Sequence, residues 1–161
     1  MSVKNIAVIK GGRADEVCEM FKGILKRSGF DNELEVTSKE LPFGEYDKKI
    51  LAITDKTAKI KQDTHFDAVI YPYNVEKTQF KSDLLISYDN ENDKADITAK
   101  NIRTVDGTVV FELLGTGIIG RLRVKNDGED TVNKALISAG IMLCSGIPLR
   151  EVVKAVSCQE Y

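Results

Sequence analysis

Ile9-Lys10-Gly11-Gly12-Arg13-Ala14-Asp15 is the stretch whose residue types and spacing best suit chemistry. Two glycines between an apolar run and a helical pattern expose backbone N–H groups beside the positive end of a helix dipole, an arrangement that holds phosphate or carboxylate. Lys10 and Arg13 add charge, so Lys10, Gly11, Gly12 and Arg13 are candidate anion- or nucleotide-binding residues. The stretch matches neither GxxxxGK[ST] nor GxGxxG. Asp15 and Glu16 would repel an anion at the same helix start, which favours a plain strand-to-helix turn.

Three other stretches contain suitable residue types without the pattern. His65 is the sole histidine and has no Ser or Cys nucleophile motif near it, so an exposed or capping role before a strand is expected rather than catalysis. Asp89-Asn90-Glu91-Asn92-Asp93 places oxygen ligands at alternate positions. Lys94 and Lys100 stand where a calcium loop needs Gly and Glu, so a solvated turn is expected. Gly115 to Gly120, GTGIIG, lies between two β-rich stretches and reads as a hairpin turn. No catalytic residue and no metal-ligand set is expected.

The elements that must position these residues follow from hydrophobic patterning. Val3 to Ile9 is a short apolar run, as in a strand buried on both faces. Val17, Met20, Phe21, Ile24 and Leu25 form one face of a helix over Arg13 to Ser28, with acidic residues first, Lys26 and Arg27 last, and Gly29 as cap. Strands are predicted at Leu34 to Thr37, Ile50 to Thr54, Asp67 to Tyr71 (stopped by Pro72) and Leu84 to Tyr88, with a weak polar helix at Asp55 to Gln62. Beyond Ala95, the runs Asp96 to Val105, Thr108 to Leu114 and Ile118 to Val124 predict an antiparallel meander turned by Asp106-Gly107. Val132 to Cys144 predicts a buried helix, and Pro148 opens a last one with the stripe Leu149, Val152, Val153 and Val156.

Composition narrows the function classes. The 161 residues carry 23 Lys+Arg against 25 Asp+Glu, a balance that argues against a nucleic-acid binder. No run approaches the roughly 18 apolar residues of a membrane span, and the apolar run Ile6-Ala7-Val8-Ile9 is too short for a signal peptide. Cys18, Cys144 and Cys158 form no close pair, as expected of reduced thiols in a cytoplasmic protein.

The C-terminal half resembles the Mur ligases, ATP-dependent enzymes that add amino acids to peptidoglycan precursors. ADITAKNIRTVDGTVVFELL at Ala95 to Leu114, then GRLRV, then DGEDTVNKALISAGIMLCSGIPLREVVKAVS follow that family's order of hairpin, buried helix, Gly-Ile-Pro-Leu and final helix. The opening IAVIKGGRADEVCEMFKGILKRSG is similar to its strand, phosphate loop and helix. The resemblance covers roughly residues 1–30 and 85–157 and implies the fold of the family's central, ATP-binding domain.

The departures bear on activity. Where the family has TGTNGKT or TGTNGKS, this chain has IKGGRADE, without the lysine for phosphate or the hydroxyl for magnesium. DAVIYPYNVEKTQFKSD stands in place of the family's metal-binding glutamate and Asp-His-Leu-Asp run. The adenine-contacting asparagines align with Thr131 and Lys134, and Asn133 serves only after a one-residue shift. The family's flanking domains, for the nucleotide-sugar precursor and the amino acid, have no counterpart in the stretch. Phosphoryl transfer depends on positioning and charge neutralisation, so a self-sufficient ligase is not expected.

The expectation is therefore an α/β fold: one domain over residues 1–161, with a mostly parallel sheet and flanking helices to about 90, an antiparallel hairpin unit at 95–125 and helices at 130–157. The expected function is a non-catalytic binding, regulatory or scaffolding module with a protein partner and no cofactor. The alternatives are a subunit of a split ATP-dependent amide ligase, using ATP and magnesium, or an anion- or nucleotide-binding domain without hydrolysis. Lys10, Gly11, Gly12, Arg13 and Asn133 are its candidate binding residues.

Overall fold

The computed structural model describes residues 4–60, 65–76, 80–115, 117–126, 128 and 130–157. The elements run β1 (Asn5–Lys10), α1 (Ala14–Ser28), a 3-10 turn (Phe30–Asn32), β2 (Leu34–Thr37), β3 (Lys49–Ile53), β4 (Phe66–Pro72), β5 (Ser82–Asp89), β6 (Ile97–Val105), β7 (Thr108–Gly115), β8 (Ile118–Lys125), α2 (Thr131–Cys144) and α3 (Leu149–Ser157). The strands form one eight-stranded sheet in the order β2-β1-β3-β4-β5-β6-β7-β8. Pairing is parallel from β2 through β6 and antiparallel from β6 to β8. This is the mostly parallel sheet with an appended antiparallel unit that the sequence predicts. Among the described residues, no helix is long and apolar enough to cross a membrane.

The helices pack on one face of the sheet. Phe21 and Ile24 of α1, Leu136 and Ile141 of α2 and Val152 and Val156 of α3 join Ile9, Ile50, Ile70, Phe111 and Leu122 in one core. The other face packs Val8, Leu51, Ile53, Val69 and Tyr71 under Val75, Phe80 and the loop residues Leu41, Ala58 and Ile60. Parallel strands usually cross over through a helix, but in β3 to β4 and β4 to β5 the described connecting residues form none. Alternation along each strand explains the division, because neighbouring side chains face opposite ways.

Local signals act where predicted. α1 ends on Gly29, at φ 82°, whose N–H donates to the Leu25 carbonyl. Asp106 and Gly107 both hold positive φ, 49° and 75°, as the tight turn between β6 and β7 requires. Pro148 opens α3, its carbonyl accepting from Glu151 and Val152 N–H.

Two details differ from the expectation. Residues 55–57 of the predicted Asp55 to Gln62 helix form a tight turn and 58–60 an irregular stretch, and 61–62 lie outside the described residues. The Asp55 carboxylate accepts from Thr57 N–H at 2.9 Å, a side-chain bond that competes with helix formation. Pro72 is itself the last residue of β4, beside Tyr88 of β5, so the strand stops at the proline rather than one residue before it.

Candidate functional site

The carboxyl ends of the parallel strands meet the Gly11-Gly12 turn after β1. In open α/β sheets this edge is where ligands bind. Thr54 and Asp55 follow β3 directly and lie against the turn. Gly12 N–H donates to Oδ1 and Oδ2 of Asp55, each at 3.1 Å. Thr57 N–H and its hydroxyl donate to Asp55 Oδ1 as well. Thr54 Oγ1 lies 2.6 Å from the Gly12 carbonyl and 3.3 Å from that of Lys10, and donates to them.

The glycines permit this approach. A side chain at Gly11 would fall on Thr54 Oγ1, and one at Gly12 on Asp55 Oδ2. Gly11 also holds φ +118°, which residues with side chains rarely adopt. The Asp55 carboxyl is held below its ordinary value by the Thr57 hydroxyl first, then by Gly12 and Thr57 N–H, against an opposing effect of burial. The turn thus binds an anion, and the anion is a side chain of the same protein.

Beside Asp55 lies an open cleft of about 350 Å³. Thr54, Asp55 and Lys56 line it from just after β3, Pro72 and Asn74 from the end of β4 and the turn beyond it, Tyr88, Asp89 and Asn90 from the end of β5 and the residue after it, and Asn133 from the first turn of α2. Tyr88 is buried and its hydroxyl donates to the Ile53 carbonyl at 2.8 Å. Burial raises the Tyr88 pKa far above its ordinary value, and the negative charges of Asp55, Asp130 and Asp89 add to this. The cleft therefore offers amides and carboxylates with the Lys56 ammonium, a lining suited to hydrogen bonding.

The structure divides the predicted site residues. Gly11 and Gly12 form the turn, and Asn133 reaches the adjoining cleft. Lys10 belongs to the other face of the sheet: its Nζ lies 3.9 Å from Glu40 Oε1, in a small cavity with Val8, Leu41 and Leu51. Arg13 is exposed and precedes α1 in a left-handed conformation, φ 60°, without a side-chain cap bond. Sequence reasoning missed Thr54, Asp55 and Tyr88, and read Asp89 only as the start of a solvated turn. The available signal was Thr54-Asp55 directly after the apolar run ILAI, at the carboxyl end of a strand.

The other motifs behave as solvated structure. Asp89 Oδ1 accepts from Glu91 N–H and Asn92 Oδ1 from Lys94 N–H, while Lys100 Nζ lies 3.7 Å from Asp93. Gly115 and Gly117 flank the turn between β7 and β8, and Thr116 lies outside the described residues. Cys18 is buried and Cys144 half-buried, both unpaired with one another. Burial pushes the Cys144 thiol up to about 11, which disfavours its thiolate. Cys158 lies outside the described residues.

No family model and no curated protein matches the sequence. Solved structures do match its fold. The UDP-N-acetylmuramoylalanyl-D-glutamyl-2,6-diaminopimelate–D-alanyl-D-alanyl ligase from Acinetobacter baumannii superposes with a TM-score of 0.66 at 14% identity, covering 98% of this chain and 46% of that one. The fold is that of the Mur-ligase central domain. A MurF ligase from Thermotoga maritima in complex with ADP gives 0.63 at 10% identity, over 100% of this chain and 49% of that one. Folylpolyglutamate synthetase from Lactobacillus casei gives 0.60 at 9% identity, over 100% and 63%. The chain therefore spans about half the length of the Mur ligases it resembles.

Proposed function

We propose that this chain is a non-hydrolysing member of the Mur-ligase fold, a binding and scaffolding module whose ligand or partner docks at the cleft between Asp55 and Asn133. One observation carries this reading: the Asp55 carboxylate accepts the Gly12 N–H in the turn that resembles the family's phosphate loop. A phosphate there would meet a negative charge in place of a lysine. Lys10 is turned to the far face of the sheet, on Glu40.

Thermal-shift titration with ATP, ADP, AMP and phosphate, each with and without magnesium, tests the reading. A ligand that binds only the folded state raises the melting temperature by mass action. The expected result is no magnesium-dependent shift with ATP and no release of phosphate. Magnesium-dependent ATP turnover that disappears in Gly12→Val would overturn the proposal.

A second reading rests on the cleft and on the fold shared with the matched ligases. A subunit of a split ATP-dependent amide ligase would keep Asn133 at the cleft and take its lysine and magnesium ligands from a partner chain. Co-purification with such a partner, and ATP turnover by the pair alone, would favour it.

A further inference from the structure

At the amino ends of β4 and β5, away from the cleft, three metal-ligating side chains converge. His65 immediately precedes β4, Asp67 is its second residue, and Asp83 is the second residue of β5. His65 and Asp67 are two positions apart, which places them on one face of an extended chain. The parallel register pairs Phe66 with Ser82 and Ala68 with Leu84, so Asp67 and Asp83 stand side by side on neighbouring strands. The sheet ladder thus holds the three together.

One ligand atom from each lies within 4.8 Å of the other two. His65 Nε2 is 3.4 Å from Asp83 Oδ1. Bonds of about 2.1 Å to a tetrahedral ion place neighbouring ligand atoms roughly 3.4 Å apart. Asp67 is oriented from outside the cluster, its Oδ2 accepting Lys49 N–H at 2.8 Å. Such outer hydrogen bonds aim metal-ligating carboxylates. The side chains of His65 and Asp83 are 54% and 75% exposed, so an ion can enter without local unfolding.

We propose that His65, Asp67 and Asp83 form an open divalent-metal site. Two carboxylates balance the ion's charge, and one imidazole with two carboxylate oxygens suits zinc, cobalt or manganese. Three protein ligands leave a coordination position for water or a partner's side chain, as accessible zinc sites do and closed structural ones do not. The site stands apart from the cleft and does not depend on the reading given to it.

Calorimetric titration of the full chain with zinc tests the site, with cobalt as a spectroscopic probe. One ion is expected per chain, with cobalt d–d absorption and no thiolate charge-transfer band. His65→Gln and Asp83→Asn should each weaken zinc binding at least tenfold and abolish the cobalt absorption. Asp89→Asn, in the cleft, should change neither. Both altered side chains are exposed, so the metal-free melting temperatures should match the wild type, which shows that each variant folds. Equal zinc affinity in His65→Gln, Asp83→Asn and wild type would overturn the proposal. So would a thiolate band, or a wild type without a saturable one-to-one site.

Discussion

Asp55 ties β3 to the turn after β1 through bonds from Gly12 and Thr57. An asparagine there keeps one acceptor oxygen and loses the charge. Asp55→Asn should lower stability by about 1–2 kcal/mol, the range for hydrogen bonds to a partly exposed charged group, measured by urea unfolding at neutral pH. The folded carboxyl is held below its ordinary 3.8, so its contribution is present above that value and lost as pH falls through the lower folded one. The gap between wild type and Asp55→Asn should therefore close in acid, and a constant gap would refute the assigned bonds. Gly11→Ala combines φ +118° with a collision on Thr54, whereas Gly128 holds φ +117° with open space around it. Gly11→Ala should cost about 2–3 kcal/mol and Gly128→Ala about 1 kcal/mol, from backbone strain alone. Equal losses would show that the turn does not lie on Thr54.

The elements whose local and tertiary demands agree were legible in the sequence. The apolar spacing of α1, its charged ends and Gly29 all point to the helix that forms. Asp106-Gly107 names its turn because only residues tolerant of positive φ fit there. Gly107→Val should destabilise the hairpin by about 1 kcal/mol or more in chemical denaturation, and an unchanged midpoint would contradict this turn. α2 was legible for another reason: apolar residues all round leave it nowhere to go but the core. Leu136 is fully buried, so Leu136→Ala should cost about 2–5 kcal/mol in the same measurement. The stretch from Asp55 to Ile60 was misread because its composition allows a helix. The choice fell to the Asp55 side chain, which bonds the local backbone and the Gly12 turn together.

At the scale of the molecule, a single sheet passes through the parallel and antiparallel parts, joined by the β5–β6 pair. The core on its helical face draws on β1 at one side and on β7 and β8 at the other. Removing either part would expose apolar surface of the other, so the chain should unfold in one cooperative step. Calorimetric and van't Hoff enthalpies should agree, and two resolved transitions would separate residues 1–90 from the rest. The same sheet sets the two candidate sites at its opposite ends, the cleft at the carboxyl ends of the parallel strands and the His65 cluster at the amino ends.

By itself, the sequence determined the order of strands and helices, the hairpin turn, the buried helix and the likeness to the Mur ligases, because these depend on periodicity, turn residues and motif order along the chain. It offered Gly11 and Gly12 as a candidate anion-binding turn while favouring a plain strand-to-helix turn, and it singled out Asn133. Only the tertiary structure decided which anion the turn meets, since Asp55 is brought there by the pairing of β1 with β3. It also sent Lys10 to the far face, since alternation along β1 opposes it to Ile9. His65, Asp67 and Asp83 meet through the β4–β5 register. For Asp55 and for the His65 cluster the physical reason is the same: strand pairing joins residues distant in the chain, and no local pattern specifies which strand lies beside which.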